Sequence, residues 1–187
     1  MISEIPKLLF NSENKYYMQD YLPEIVSVNS QALPDFFTIA CQSGHADVVN
    51  VLLENGRFNC NRANKHGATP LIFACENGHL EVVKRLLKEP DIRVEQKDKY
   101  GVTSFWMACA SGHVEIVEEL LKLPKVNYNV FEKQGLTPLC AACLSGADDV
   151  IRLLLKKNPM KSNINECELY KGDNIETKNM LQRFVNG

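Results

Sequence analysis

Gly67-Ala-Thr-Pro-Leu-Ile-Phe-Ala-Cys-Glu-Asn-Gly-His79, continued by Leu80-Glu-Val-Val-Lys-Arg-Leu-Leu87, decides how the rest of the chain is read. Moved 34 positions forward it meets Gly101-Val-Thr-Ser-Phe-Trp-Met-Ala-Cys-Ala-Ser-Gly-His113 and Val114-Glu-Ile-Val-Glu-Glu-Leu-Leu121. A further step meets Gly135-Leu-Thr-Pro-Leu-Cys-Ala-Ala-Cys-Leu-Ser-Gly146 with Val150-Ile-Arg-Leu-Leu-Leu155. Backward it meets Phe36-Phe-Thr-Ile-Ala-Cys-Gln-Ser-Gly-His45 with Val48-Val-Asn-Val-Leu-Leu53. A self-similar unit of this length, occurring four times, specifies a stacked solenoid.

Each copy carries its own start and stop signals. Thr69-Pro70 and Thr137-Pro138 place an N-cap hydroxyl before a proline at the first helical position; Thr103-Ser104 keeps the cap alone. Gly44, Gly78, Gly112 and Gly146 suit left-handed helix caps. The second helix of each copy pairs its apolar residues, as in Val82, Val83, Leu86 and Leu87, which makes one wide stripe for a core. Asp47, Glu81, Glu115 and Asp149 recur at the start of these helices, and Lys88, Lys122 and Lys156 at the end. That order suits the helix dipole on a solvated face. Past each stop, Phe58 and Cys60, Ile92 and Val94, and Val126 and Tyr128 alternate as in extended arms. The arms lead to tips at residues 64–67, 98–101 and 132–135.

These residues resemble the ankyrin repeat family, whose unit is 33 residues with a T-P-L-H-x-A helix start. The resemblance covers residues 30 to about 165. The fold expected is all-α: an ankyrin-repeat solenoid of four helix-pair repeats with hairpin arms, plus helical N- and C-terminal caps. As a single domain, 1–187 divides into an N-terminal helical cap (1–29), repeats at 30–63, 64–97, 98–131 and 132–165, and a C-terminal capping helix (166–187). Thr38, Ile72, Trp106 and Cys140 stand where the family carries the His of its helix start, so the bonds that His makes are expected to be absent or replaced.

A net charge of −2, from 21 basic and 23 acidic residues, removes the global electrostatic argument for nucleic acid or an anionic membrane. No apolar run approaches the roughly 20 residues that span a bilayer. Met1-Ile-Ser-Glu-Ile-Pro-Lys does not read as a signal peptide, so the cytoplasm is expected, with the nucleus as the alternative. Nucleotide-binding glycine motifs and H-E-x-x-H are missing. Cys41, Cys75, Cys109 and Cys143 share one repeat position. Neighbouring helices lie about 8–10 Å apart, too far for disulfides, so reduced thiols in packing niches are expected and neither a metal site nor a cofactor. His45, His79 and His113 share another position, in the inter-helix turn, where a structural hydrogen bond outweighs catalysis.

Function follows from the resemblance. It implies a non-catalytic protein–protein interaction scaffold or adaptor, monomeric, whose partner binds hairpin tips and the exposed side of the first helices on a concave face. On matching positions the tips supply Lys65, His66, Lys99, Tyr100, Lys133 and Gln134, with Lys97 and Phe131 just before two of them. The helices supply Glu76, Asn77, Ala110, Ser111 and Leu144, and Trp106 is either a seam filler or an exposed anchor. The lysines at 34-residue spacing suggest an acidic, partly apolar partner. Two alternatives stand beside this. Cys140 and Cys143 could serve a redox or thiol-reactive role, with Cys140 in a first helical turn that lowers thiol pKa. The lysine row could bind nucleic acid weakly.

Overall fold

In the computed structural model the described residues are 33–54, 58–124, 126–130 and 132–156. The expected N-terminal cap, C-terminal closing helix and Phe131 lie outside them. Eight helices are present among the described residues: α1 (Leu33–Gln42), α2 (Ala46–Glu54), α3 (Pro70–Glu76), α4 (Leu80–Leu86), α5 (Ser104–Ala110), α6 (Val114–Leu121), α7 (Pro138–Ser145) and α8 (Asp148–Lys156).

The caps act as the sequence predicts. The hydroxyls of Thr69, Thr103 and Thr137 each accept the N–H three residues on, at 3.2 Å. This satisfies one donor that the helix itself cannot. Ser104, standing where α3 and α7 have proline, donates its hydroxyl to the Val94 carbonyl at 3.0 Å. At the other end, Gly44, Gly78, Gly112 and Gly146 take φ of 78°, 75°, 76° and 70°. The residue after each then bonds back to the carbonyl of Ala40, Ala74, Ala108 or Ala142 at 3.0–3.1 Å, the long-range bond of a left-handed cap. A two-turn helix thus reverses into its partner within a few residues.

α1, α3, α5 and α7 pack side by side in one row, and α2, α4, α6 and α8 in a second. The core is the seam between the rows. Phe37, Leu71, Phe105 and Leu139 occupy one column of it; Ala40, Ala74, Ala108 and Ala142 occupy another. The small column allows close approach of the first helices, and burial of the paired Val, Ile and Leu residues supplies the hydrophobic term. Cys41, Cys75, Cys109 and Cys143 are buried beside it and unbonded. Desolvation pushes the thiols of Cys41, Cys75 and Cys109 well above the ordinary range, so they stay protonated packing groups.

The arms keep the alternation without becoming strands. No strand forms among the described residues; short turns replace them, as where the Arg62 N–H meets the Asn59 carbonyl at 3.0 Å and the Gln96 N–H that of Arg93 at 3.1 Å. Alternate residues still point inward, with Cys60 and Val126 buried and Phe58, Ile92, Val94 and Tyr128 packed on the core. Side chains tie successive arms together. Asn61 donates to the Asp91 carbonyl at 2.9 Å and accepts from the Arg93 N–H at 2.7 Å, and Glu95 accepts from the Asn127 N–H at 3.2 Å.

A groove between the tips and the first helices

Each tip is built on one side-chain acceptor. Asn64 Oδ1 accepts the N–H groups of His66 and Ala68 at 2.8 and 3.1 Å. Asp98 Oδ1 accepts those of Tyr100 and Val102 at 2.8 and 2.9 Å, and Glu132 Oε1 those of Gln134 and Leu136 at 2.7 and 3.2 Å. Each acceptor's own N–H closes the hairpin onto the carbonyl of Ala68, Val102 or Leu136. Gly67 sits at φ 82°, where a Cβ would come within 3.0 Å of the Asp98 Cα and the Lys99 nitrogen of the next tip. That close approach lets the Lys99 N–H reach the His66 carbonyl at 2.9 Å, and the Lys133 N–H likewise reaches that of Tyr100 at 2.7 Å. The tips are therefore one fastened row, with an ordered face before any partner arrives.

The first helices are fastened to one another too. His79 Nε2–H donates to the Gln42 carbonyl at 2.8 Å and His113 Nε2–H to that of Glu76 at 3.1 Å. This is the structural role expected for these histidines. At the position of the missing helix-start His, Ile72 and Cys140 are simply buried, whereas Trp106 supplies a substitute bond: its indole Nε1–H donates to the Leu136 carbonyl at 2.9 Å. Trp106 is half-buried.

Trp106 lines an open groove of about 520 Å³. Its floor is Ile72, Phe73, Trp106, Met107 and Leu136. His66, Tyr100 and Gln134 form the tip wall, and the carboxylates are those of Asp98 and Glu132 on that wall and of Glu76 at the end of α3. The structure thus brings together His66, Glu76, Tyr100, Trp106 and Gln134 of the expected residues. Asn77 is exposed and caps its own helix through the Phe73 carbonyl at 2.9 Å; Ala110 and Ser111 are half-buried at the end of α5, and Leu144 is exposed on α7. None of these four lines the groove. Lys65, Lys97, Lys99 and Lys133 are exposed, and none of them lines it either. Lys99 turns its ammonium onto His66 Nδ1 at 2.5 Å and stands 4.9 Å over the centre of the Tyr100 ring. Phe73 and Met107 went unnoticed in the sequence. The signal for them was present, because Ile39, Phe73 and Met107 repeat every 34 residues on the helix face away from the core stripe.

The thiol-reactive reading gains no support. Cys140 and Cys143 are only 1% and 3% exposed, and the Thr137 hydroxyl covers Cys140 Sγ at 3.1 Å. Both sulfurs are shielded from solvent. No group of three or more His, Cys, Asp or Glu among the described residues is placed to hold a metal ion. No helix among them is long and apolar enough to cross a membrane. The second helices carry local ion pairs, Lys84 with Glu81 at 3.0 Å, Lys122 with Glu119 at 2.8 Å and Arg85 with Glu89 at 2.5 Å, and the first two pairs line a second open groove of about 460 Å³ whose lining is mostly polar and charged.

A family model for ankyrin repeats (three copies) matches residues 18–98 and 91–166. A search of curated proteins finds no match.

Proposed function

The chain belongs to the ankyrin repeat family, and from that premise we propose a non-catalytic interaction module that binds another protein across the tips and the groove. One observation carries this reading. The large apolar side chains most exposed among the described residues are Tyr100 at 54%, Leu144 at 53% and Ile39 at 37%, and all lie on the tips or the first helices. None lies on the second helices. Exposed apolar surface gathered on one face marks an interaction site, and a face fastened beforehand loses less entropy on binding. The proposal extends to the whole chain as one monomeric domain in the cytoplasm, with repeats at 30–63, 64–97, 98–131 and 132–165 between helical caps.

The weak nucleic-acid alternative is not favoured, because Asp98 and Glu132 stand beside the tip lysines and the total charge is −2.

The test is capture from the native cell with crosslinking to map contacts. Crosslinks should fall on the tips and first helices. Tyr100→Ala should then weaken the captured partner's binding by more than about 1 kcal/mol, as loss of an aromatic anchor does. Glu119→Lys on the second-helix face should leave affinity nearly unchanged. Crosslinks confined to the second helices, with Tyr100→Ala silent, would overturn the reading.

A further inference from the structure

We infer that the groove takes a basic, apolar peptide segment: a lysine or arginine flanked by hydrophobic side chains. This rests on the interaction reading above and goes beyond it, because the tip lysines alone point to the opposite charge.

The groove's own lining reverses that expectation. Its charged side chains are Glu76, Asp98 and Glu132, with no lysine or arginine among them. Asp98 and Glu132 are held in place by the tip N–H groups they accept. Glu76 is exposed at the end of α3 and forms no ion pair among the described residues. The nearest rim cation, Lys99, is turned onto His66 and one face of Tyr100.

The lining therefore sets three carboxylates, Glu76 exposed on α3 and Asp98 and Glu132 folded into the tips, against one ammonium, that of Lys99 at the tip wall. The balance of these local charges favours a cation, and more distant surface charges are weakened by screening at physiological salt. The floor selects the rest of the segment. Phe73 and Met107 offer apolar, adaptable contact. The Trp106 ring lines the floor, pinned through its indole N–H, and supplies an aromatic contact for a cation or an aliphatic stem. The groove is open along the row and spans residues of three successive repeats, which suits a chain segment better than an enclosed small molecule.

The test uses two fluorescein-labelled peptides of equal length, one of alternating leucine and arginine and one of alternating leucine and glutamate. Binding is followed by anisotropy over a range of salt, and in parallel by emission of Trp106, the chain's sole tryptophan. The basic peptide should bind at least about tenfold more tightly than the acidic one and change Trp106 emission. Glu76→Lys should weaken it about tenfold, and Glu118→Lys, an equal charge change on an exposed residue of α6, by less than about twofold. If Glu76→Lys disturbs the fold, Glu76→Gln should still cost about threefold. Equal or tighter binding of the acidic peptide, or equal effects of the Glu76 and Glu118 changes, overturns the inference. A cellular partner that crosslinks to the groove through an acidic segment sinks this inference alone. One that crosslinks to the second helices sinks the interaction reading.

Discussion

Leu86→Ala should lower the unfolding free energy by about 2–5 kcal/mol, and its effect should spread beyond its own helix pair. Leu86 is fully buried in α4, in the row of second helices where α4 packs against both α2 and α6. Truncation leaves a cavity in the seam that both neighbours help to line. In a solenoid, stability is the sum of each unit's own stability and its two interfaces, so one cavity weakens both interfaces at once. Denaturant unfolding gives the magnitude, and native-state hydrogen exchange gives the spread. Faster exchange in α2 and α6 as well as α4 is expected. Loss confined to α3 and α4 would show that the units are energetically separate.

Gly78→Ala should destabilise by about 2–3 kcal/mol, whereas Gly112→Ala should cost only about 1–2. The backbone penalty is common to both, since the two glycines share φ values of 75° and 76°. What differs is the neighbour. A Cβ on Gly78 would lie 2.6 Å from His113 Cε1, so the ring must move and its bond to the Glu76 carbonyl is lost. A Cβ on Gly112 meets only the Ala147 Cβ at 3.3 Å, because the fourth unit has alanine where the others have histidine. Adding His113→Ala to Gly78→Ala should relieve the clash and recover part of the difference. Equal losses for the two single glycine changes would mean that the histidine contributes nothing beyond the left-handed turn.

The helix pairs, their caps and their core stripe could be read from sequence because each rests on local rules at a repeating position: a threonine that caps, a glycine that takes positive φ, apolar residues three and four apart. The turn histidines were readable for the same reason. The arms were legible only in part. Alternation reports which side chains face inward, and Cys60 and Val126 do, but it cannot tell a strand from a run of turns cross-tied by Asn61 and Glu95.

Glu132 shows a second gap between sequence and structure. It does for its tip what Asn64 and Asp98 do for theirs, yet one additional methylene hides the equivalence from any rule about short polar turn residues. The groove was the least readable part. Tip lysines recur conspicuously, but whether a long side chain faces the groove or leaves it depends on the partners it finds. For Lys99 those partners are His66 and Tyr100.

Ala147 has a mechanical consequence. The second and third pairs are clamped at both ends, by the Lys99–His66 backbone bond at the tips and by His113 at the turns. The third and fourth pairs share a tip clamp, Lys133 to Tyr100, and gain a rivet beside the groove in Trp106 to Leu136. Their turn end has no histidine latch. Load applied along the row should make this joint gape first, at the turns, pivoting about the riveted edge. On that expectation the compliance of the row lies on the side away from the tips, and α7 and α8 should swing there while the floor beneath Trp106 keeps its shape.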